Sequence, residues 1–122
     1  MVAITKILLA TLSTSFVVAR EGKMTWYNPV RGSGLGACGK TYNGNDIIVA
    51  IGVPHWTAAN PNKDPLCQKK VTIHYGGKKV TARVVDKCMS CGRNNIDVSP
   101  AVFKKFGPLS KGHYQVKWNL HN

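Results

Sequence analysis

Four cysteines, Cys38, Cys67, Cys88 and Cys91, in a chain of 122 residues constrain the fold more than any other feature of the sequence. Such a length holds one domain, and a domain of roughly 100 residues has a core that is marginal without staples. An even cysteine count in a short chain reads as a disulfide framework, and four cysteines allow three connectivities. Cys38–Cys67 with Cys88–Cys91 is the preferred pairing; the second closes a short loop and removes less chain entropy than the first. Zinc is the competing use. Only Cys88 and Cys91 have tight metal spacing, and Cys38 and Cys67 offer no matching close pair. Neither metal nor cofactor is expected.

The N-terminus points to an oxidising compartment. Lys6 precedes an apolar run at residues 7–12, and a second apolar patch lies at Phe16, Val17 and Val18. Val17 and Ala19 are small enough for the two recognition positions of a signal-peptidase site. Ser13, Thr14 and Ser15 interrupt the run, which falls short of the roughly 20 apolar residues of a membrane span. Residues 1–19 are therefore expected to be a signal peptide and residues 20–122 a secreted, extracellular domain without a membrane partner. That compartment favours disulfides over free thiolates.

Seventeen Lys and Arg face five acids, Glu21, Asp46, Asp64, Asp86 and Asp97, for a net charge of +12. Such a balance favours anionic partners. The basic residues are scattered, in pairs at Lys69/Lys70, Lys78/Lys79 and Lys104/Lys105, and no run of five suggests a nucleic-acid arm. A solvated basic surface is the plainer interpretation. Nothing in the sequence calls for an obligate dimer, so a monomer is expected.

Short strand-like runs alternate with dense glycine and proline punctuation. Strands are predicted at residues 23–28, 47–53, 71–75, 79–85 and 114–120. The run 47–53 is continuously apolar, as in a strand buried on both faces, and Gly76-Gly77 suits a tight hairpin between 71–75 and 79–85. Trp118 alternates with Val116 and Leu120, and all three are candidate core. One helix is predicted over 99–107, with Ser99 at its N-cap, Pro100 at its first position, Lys104 and Lys105 in its last turn and Gly107 after it. Pattern alone gives an all-β barrel with one helix.

Several phrases follow one another in a telling order: Met24-Thr25-Trp26-Tyr27, Gly34-Leu35-Gly36-Ala37-Cys38-Gly39, Asp64-Pro65-Leu66-Cys67 and Tyr75-Gly76-Gly77-Lys78. Val84-Val85-Asp86-Lys87-Cys88-Met89-Ser90-Cys91, Ile96-Asp97-Val98-Ser99-Pro100 and Val116-Lys117-Trp118 complete the series. Over residues 22–120 this resembles the single-domain rare-lipoprotein-A-like proteins, especially the loosenin-type relatives of expansins. The resemblance implies an all-β, six-stranded double-psi β-barrel with one or two short helices. The chain ends soon after Trp118, so the second, polysaccharide-binding domain of true expansins is expected to be absent.

The same resemblance assigns candidate residues. Asp97 matches the general acid of barwin-like endoglucanases and the aspartate that expansins require. Asp86 matches a second groove aspartate and Thr25 a groove threonine; Tyr27 lies one alternation further along the same strand face. Tyr42, His55 and Trp56 are loop aromatics suited to stacking on sugar rings, with Tyr42 and Trp56 added to the polysaccharide-binding set. Each has a plainer use: Asp97 beside a helix N-terminus, Asp86 bonding nearby amides, the aromatics packing under loops. Where the endoglucanases carry a catalytic base, the segment 23–28 has no acid. Inverting hydrolysis needs two carboxylates, so hydrolysis is not expected.

Three functions follow as expectations. The leading one is non-hydrolytic loosening of cell-wall polysaccharide (cellulose, chitin or peptidoglycan) through an open groove. The alternative is a secreted protein-binding module, such as a cysteine-protease inhibitor or effector acting on a secreted protease, with the loops 32–39 and 54–65 as contact surface. A lytic transglycosylase, needing only Asp97 as acid and then base, is the lesser alternative.

Overall fold

A computed structural model describes residues 19–29 and 36–122. The predicted signal peptide, but for Ala19, and the loop glycines Gly32 and Gly34 lie outside the described residues. Six strands form a closed barrel: β1 (Arg20–Trp26), β2 (Ile48–Gly52), β3 (Lys70–Tyr75), β4 (Lys78–Cys88), β5 (Ile96–Val98) and β6 (His113–His121). Their order around the barrel is β1-β5-β2-β4-β3-β6. Two pairs, β1 with β5 and β2 with β4, are parallel, and the other four are antiparallel. Among the described strands, closure leaves no sheet edge free to pair with another chain.

The apolar run of β2 is buried along its whole length, as its sequence predicts. Val49 and Ile51 enter the main core, where Met24, Ile73, Ile96 and Trp118 are each 0% exposed. Ala50 belongs to a second, smaller cluster with Cys88 and Cys91, against which Tyr27 packs. The hairpin between β3 and β4 turns at Gly76 (φ 56°) and Gly77 (φ 79°), the left-handed pair that a two-residue turn demands. The helix is shorter than predicted. α1 spans Pro100–Lys104, with Val102 N–H donating to Ser99 Oγ, while residues 105–107 close it as a turn. β1 runs from Arg20 rather than residue 23, because β6 supplies a partner as far back as Trp118, opposite Arg20.

Both preferred disulfides are formed, Cys38–Cys67 and Cys88–Cys91. The first ties the segment at residues 36–40 to a 3₁₀ turn at Pro65–Gln68. That turn is held by Asp64, 3% exposed, whose carboxylate accepts N–H bonds from Thr57 (2.7 Å), Ala58 (2.8 Å) and Leu66 (3.0 Å). Burial alone would raise the Asp64 pKa, but the three amides outweigh it and hold the group below the usual carboxylate range.

A stability prediction arises here. Asp64→Asn, which leaves donors facing donors, is expected to cost about 2–3 kcal/mol at pH 7, read from urea midpoints. A depressed folded pKa gives stability that is present above the unfolded value, about 3.9, and lost as pH falls through the folded one. The gap between wild type and variant should therefore narrow in acid. An equal gap at pH 7 and pH 2.5 would show that the charge contributes nothing.

Candidate functional site

Strand register builds the groove. Thr25 on β1 lies opposite Asp97 on β5, Asp97 opposite Ala50 on β2, and Ala50 opposite Asp86 on β4. Four neighbouring strands thus place Thr25, Asp97, Ala50 and Asp86 in one outward row, and the methyl of Ala50 leaves the floor between the carboxylates low. β5 makes this possible with three residues, paired on both sides.

Thr25 Oγ1 donates to Asp97 Oδ1 at 3.0 Å. Burial raises the Asp97 pKa; the Thr25 hydrogen bond opposes the shift, and the charge of Asp86 adds to it. Asp86 is more heavily engaged, since its Oδ1 accepts from the backbone N–H of Ala37 (3.0 Å) and of Lys87 (2.9 Å). Tyr27 lies against both carboxylates. Burial first, then the charges of Asp86 and Asp97, push its phenol far above the ordinary value, so it stays a neutral hydroxyl. That hydroxyl is buried beside Asp86 without a partner in good hydrogen-bond geometry.

Two other predicted site residues are not members of this register row. Tyr42 lines a hollow of about 190 Å³ with Lys40, Arg83 and the Cys38–Cys67 bridge. Trp56 is half-buried against the main core; its indole N–H donates to Ile51 O (3.1 Å) and Lys87 Nζ lies 5.5 Å over its ring. Trp26, at the mouth of the barrel, is 37% exposed and donates to Leu109 O.

A second surface includes the loop 54–65 named above as a contact surface, together with a turn after β4 that was not named. At one end of the barrel, the connection from β2 to β3 and the turn between β4 and β5 are knit together. His55 Nε2 bonds Arg93 O at 2.7 Å, Trp118 Nε1 donates to Asn94 O at 2.8 Å, and Gly52 lies opposite Cys88. The four-residue Cys88–Cys91 ring projects Met89, 78% exposed, from this end, and Val53, 39% exposed, leaves β2 there too. An exposed methionine gains by leaving water, and its disulfide-closed ring has little backbone freedom left to lose on binding, which suits it to protein contact. The Asp64 brace under the same connection carried a readable signal, an Asp before Pro65 at the start of a turn.

Among the described residues no helix is long and apolar enough to cross a membrane. A family model described as lytic transglycolase, built on the double-psi β-barrel, matches residues 19–118. The papain inhibitor of Streptomyces mobaraensis is 44% identical over 93 residues, covering 75% of this chain and 63% of that protein. The chain thus spans less than two thirds of that relative's length. The solved Streptomyces papain inhibitor superposes with a TM-score of 0.79 at 39% identity, covering 86% of this chain and 96% of that one. A mutant expansin of Clavibacter michiganensis in complex with cellohexaose gives a TM-score of 0.71 at 18% identity, covering 86% of this chain and 51% of that one. At that identity the likeness is one of fold. Closed six-strand barrel, outward groove row and family match agree: the chain belongs to the rare-lipoprotein-A-like double-psi β-barrel family.

Proposed function

We propose that this protein is a secreted inhibitor of papain-type cysteine proteases that engages its target with the braced end of the barrel. The observation that carries the reading is its similarity to the papain inhibitor, at 39% identity over nearly the whole of that solved chain. Wall loosening, the leading expectation from the sequence, draws on expansin structures at 18–19% identity, where the likeness is one of fold. Residues 1–19 act as the leader for export in this account, consistent with two disulfides in the domain.

Physical reasons favour the braced end. An inhibitor must resist the protease it occupies and lose little entropy on binding, so its contact loops should be fixed beforehand. The connection 53–69 is held by Asp64, by the Trp56 indole and by Cys67, and the turn 88–95 by its own disulfide. Met89 and Val53 leave apolar groups exposed at this end. The basic Lys87 directly precedes the turn 88–95 and Arg93 lies within it, with Lys87 Nζ over the Trp56 ring and Arg93 O bonded to His55.

The groove row sustains a second reading, glycan binding, because Asp97 and Thr25 are joined beside a low floor at Ala50. Against acid–base chemistry there, Asp86 is engaged by two amides. One comparison separates the two: wild type and Asp97→Ala, each assayed for papain inhibition and for retention on cellulose. Inhibition that is equal in both proteins, with no retention, is the expected result. Absent inhibition at micromolar protein, with retention lost in Asp97→Ala, would replace the inhibitor reading by the glycan one.

A further inference from the structure

The half of the barrel facing away from the groove has a charge pattern of its own. Register across β1-β6-β3-β4 sets Glu21 opposite Lys117, Lys117 opposite His74, and His74 opposite Lys79. All four are exposed. Further along, Lys70 lies between His121 and Arg83. Like charges directly across a sheet are destabilising, yet Glu21 is the one acid on this face. The other four acids are placed in the groove, in the Asp64 brace and in the loop before β2.

Polar side chains fill the positions between. Thr72 Oγ1 bonds Thr81 Oγ1 (2.9 Å) and His121 Nε2 (2.7 Å), and Asn119 lies opposite Thr72. A hollow of about 430 Å³ opens beside the hairpin, walled by Glu21, His74, Tyr75, Lys78, Lys79 and Lys117. Lys79 and Lys117 flank β3, roughly 9–10 Å apart at two strand spacings.

We propose that this outer face of β1-β6-β3-β4 is a binding surface for an acidic polysaccharide, a sugar chain bearing carboxylates at intervals. The lysines meet the carboxylates and remove the cross-strand repulsion, while Thr, Asn and Gln groups suit sugar hydroxyls. Single-stranded nucleic acid fits less well. Its bases need aromatic platforms, and the one tyrosine here is turned onto its own neighbours, 4.6 Å from Tyr114 and 6.4 Å from Phe106 between ring centres. The face centres on β6 and β3, across the barrel from the β5 and β2 of the groove row, and shares with that row only the flanking strands β1 and β4, so the proposal stands whether or not the protein inhibits a protease.

The test is retention on immobilised polygalacturonate at low and high salt. The Lys79→Glu/Lys117→Glu variant is compared with a charge-matched control, Lys104→Glu/Lys105→Glu at the exposed end of α1. The face variant should lose at least about tenfold in affinity and the control less than about twofold, with binding falling as salt rises. Equal losses in both variants would reduce the effect to net charge and overturn the proposal. Absence of retention by wild type would overturn it also, as would tighter binding of a single-stranded oligonucleotide than of polygalacturonate. Unchanged melting temperatures, expected at these exposed positions, keep the comparison interpretable.

Discussion

Gly52→Ala is expected to leave this protein unfolded, a loss above about 4 kcal/mol from one methyl group. A Cβ at Gly52 would collide with the carbonyl oxygen and carbon of Gly92, which are backbone and cannot swing aside. Gly92 belongs to the turn that follows the Cys88–Cys91 ring, and Gly52 lies opposite Cys88 in the parallel β2–β4 pairing. Relief would require the end of β2 to part from that turn, breaking the knit between the two connections and opening the core beneath Ile51. A domain whose total stability is about 5–15 kcal/mol has little to spare for this. Gly92→Ala is the matched control. Its added Cβ meets nothing within 4 Å, and only its φ of +66° disfavours the change, a cost of about 1–2 kcal/mol. Circular dichroism and urea titration of both variants decide the matter; a folded Gly52→Ala as stable as Gly92→Ala would refute the close approach.

Met89→Asp is expected to raise the inhibition constant toward papain by about 100-fold or more, the scale of losing a central contact residue at an interface. The side chain is 78% exposed and borders the second core cluster only through its cysteine neighbours, so the melting temperature should not move. Met89→Leu, which keeps an apolar group of similar size, should stay within about tenfold of wild type. Inhibition unchanged in Met89→Asp would move the contact surface elsewhere on the barrel.

Local signals were readable because their physics is local. The Gly76-Gly77 turn, the Ser99-Pro100 start of α1 and the continuous burial of β2 follow from a few adjacent residues. β5 was not readable as a strand: Ile96, Asp97 and Val98 give one alternation, and what makes them a strand is pairing with β1 and β2, both distant in sequence. The six-stranded double-psi barrel was supplied by the family resemblance rather than by periodicity, and its two parallel pairings join segments far apart in sequence.

The candidate site divides in the same way. Motif matching named Thr25, Asp86 and Asp97, and register explains why they meet, through an Ala50 that carries no chemical signal of its own. Tyr42 and Trp56 were grouped with them by residue type; Tyr42 lines a hollow at the Cys38–Cys67 bridge, and Trp56 donates to Ile51 O. Of the braced end, the loop 54–65 was named from sequence; its meeting with the turn 88–95, and the exposure of Met89 there, depend on which loops come together across the end of the barrel. Of the three connectivities open to four cysteines, Cys88–Cys91 is the one that turns Met89 outward on a closed ring.

Hydrogen–deuterium exchange of the protein alone and with papain tests the central claim most directly. Backbone amides in residues 53–69 and 88–95 should gain protection in the complex, while β1, β5 and the β3–β4 hairpin exchange as before. A mixture that forms no complex, or protection confined to the groove strands around Thr25 and Asp97, would contradict the account.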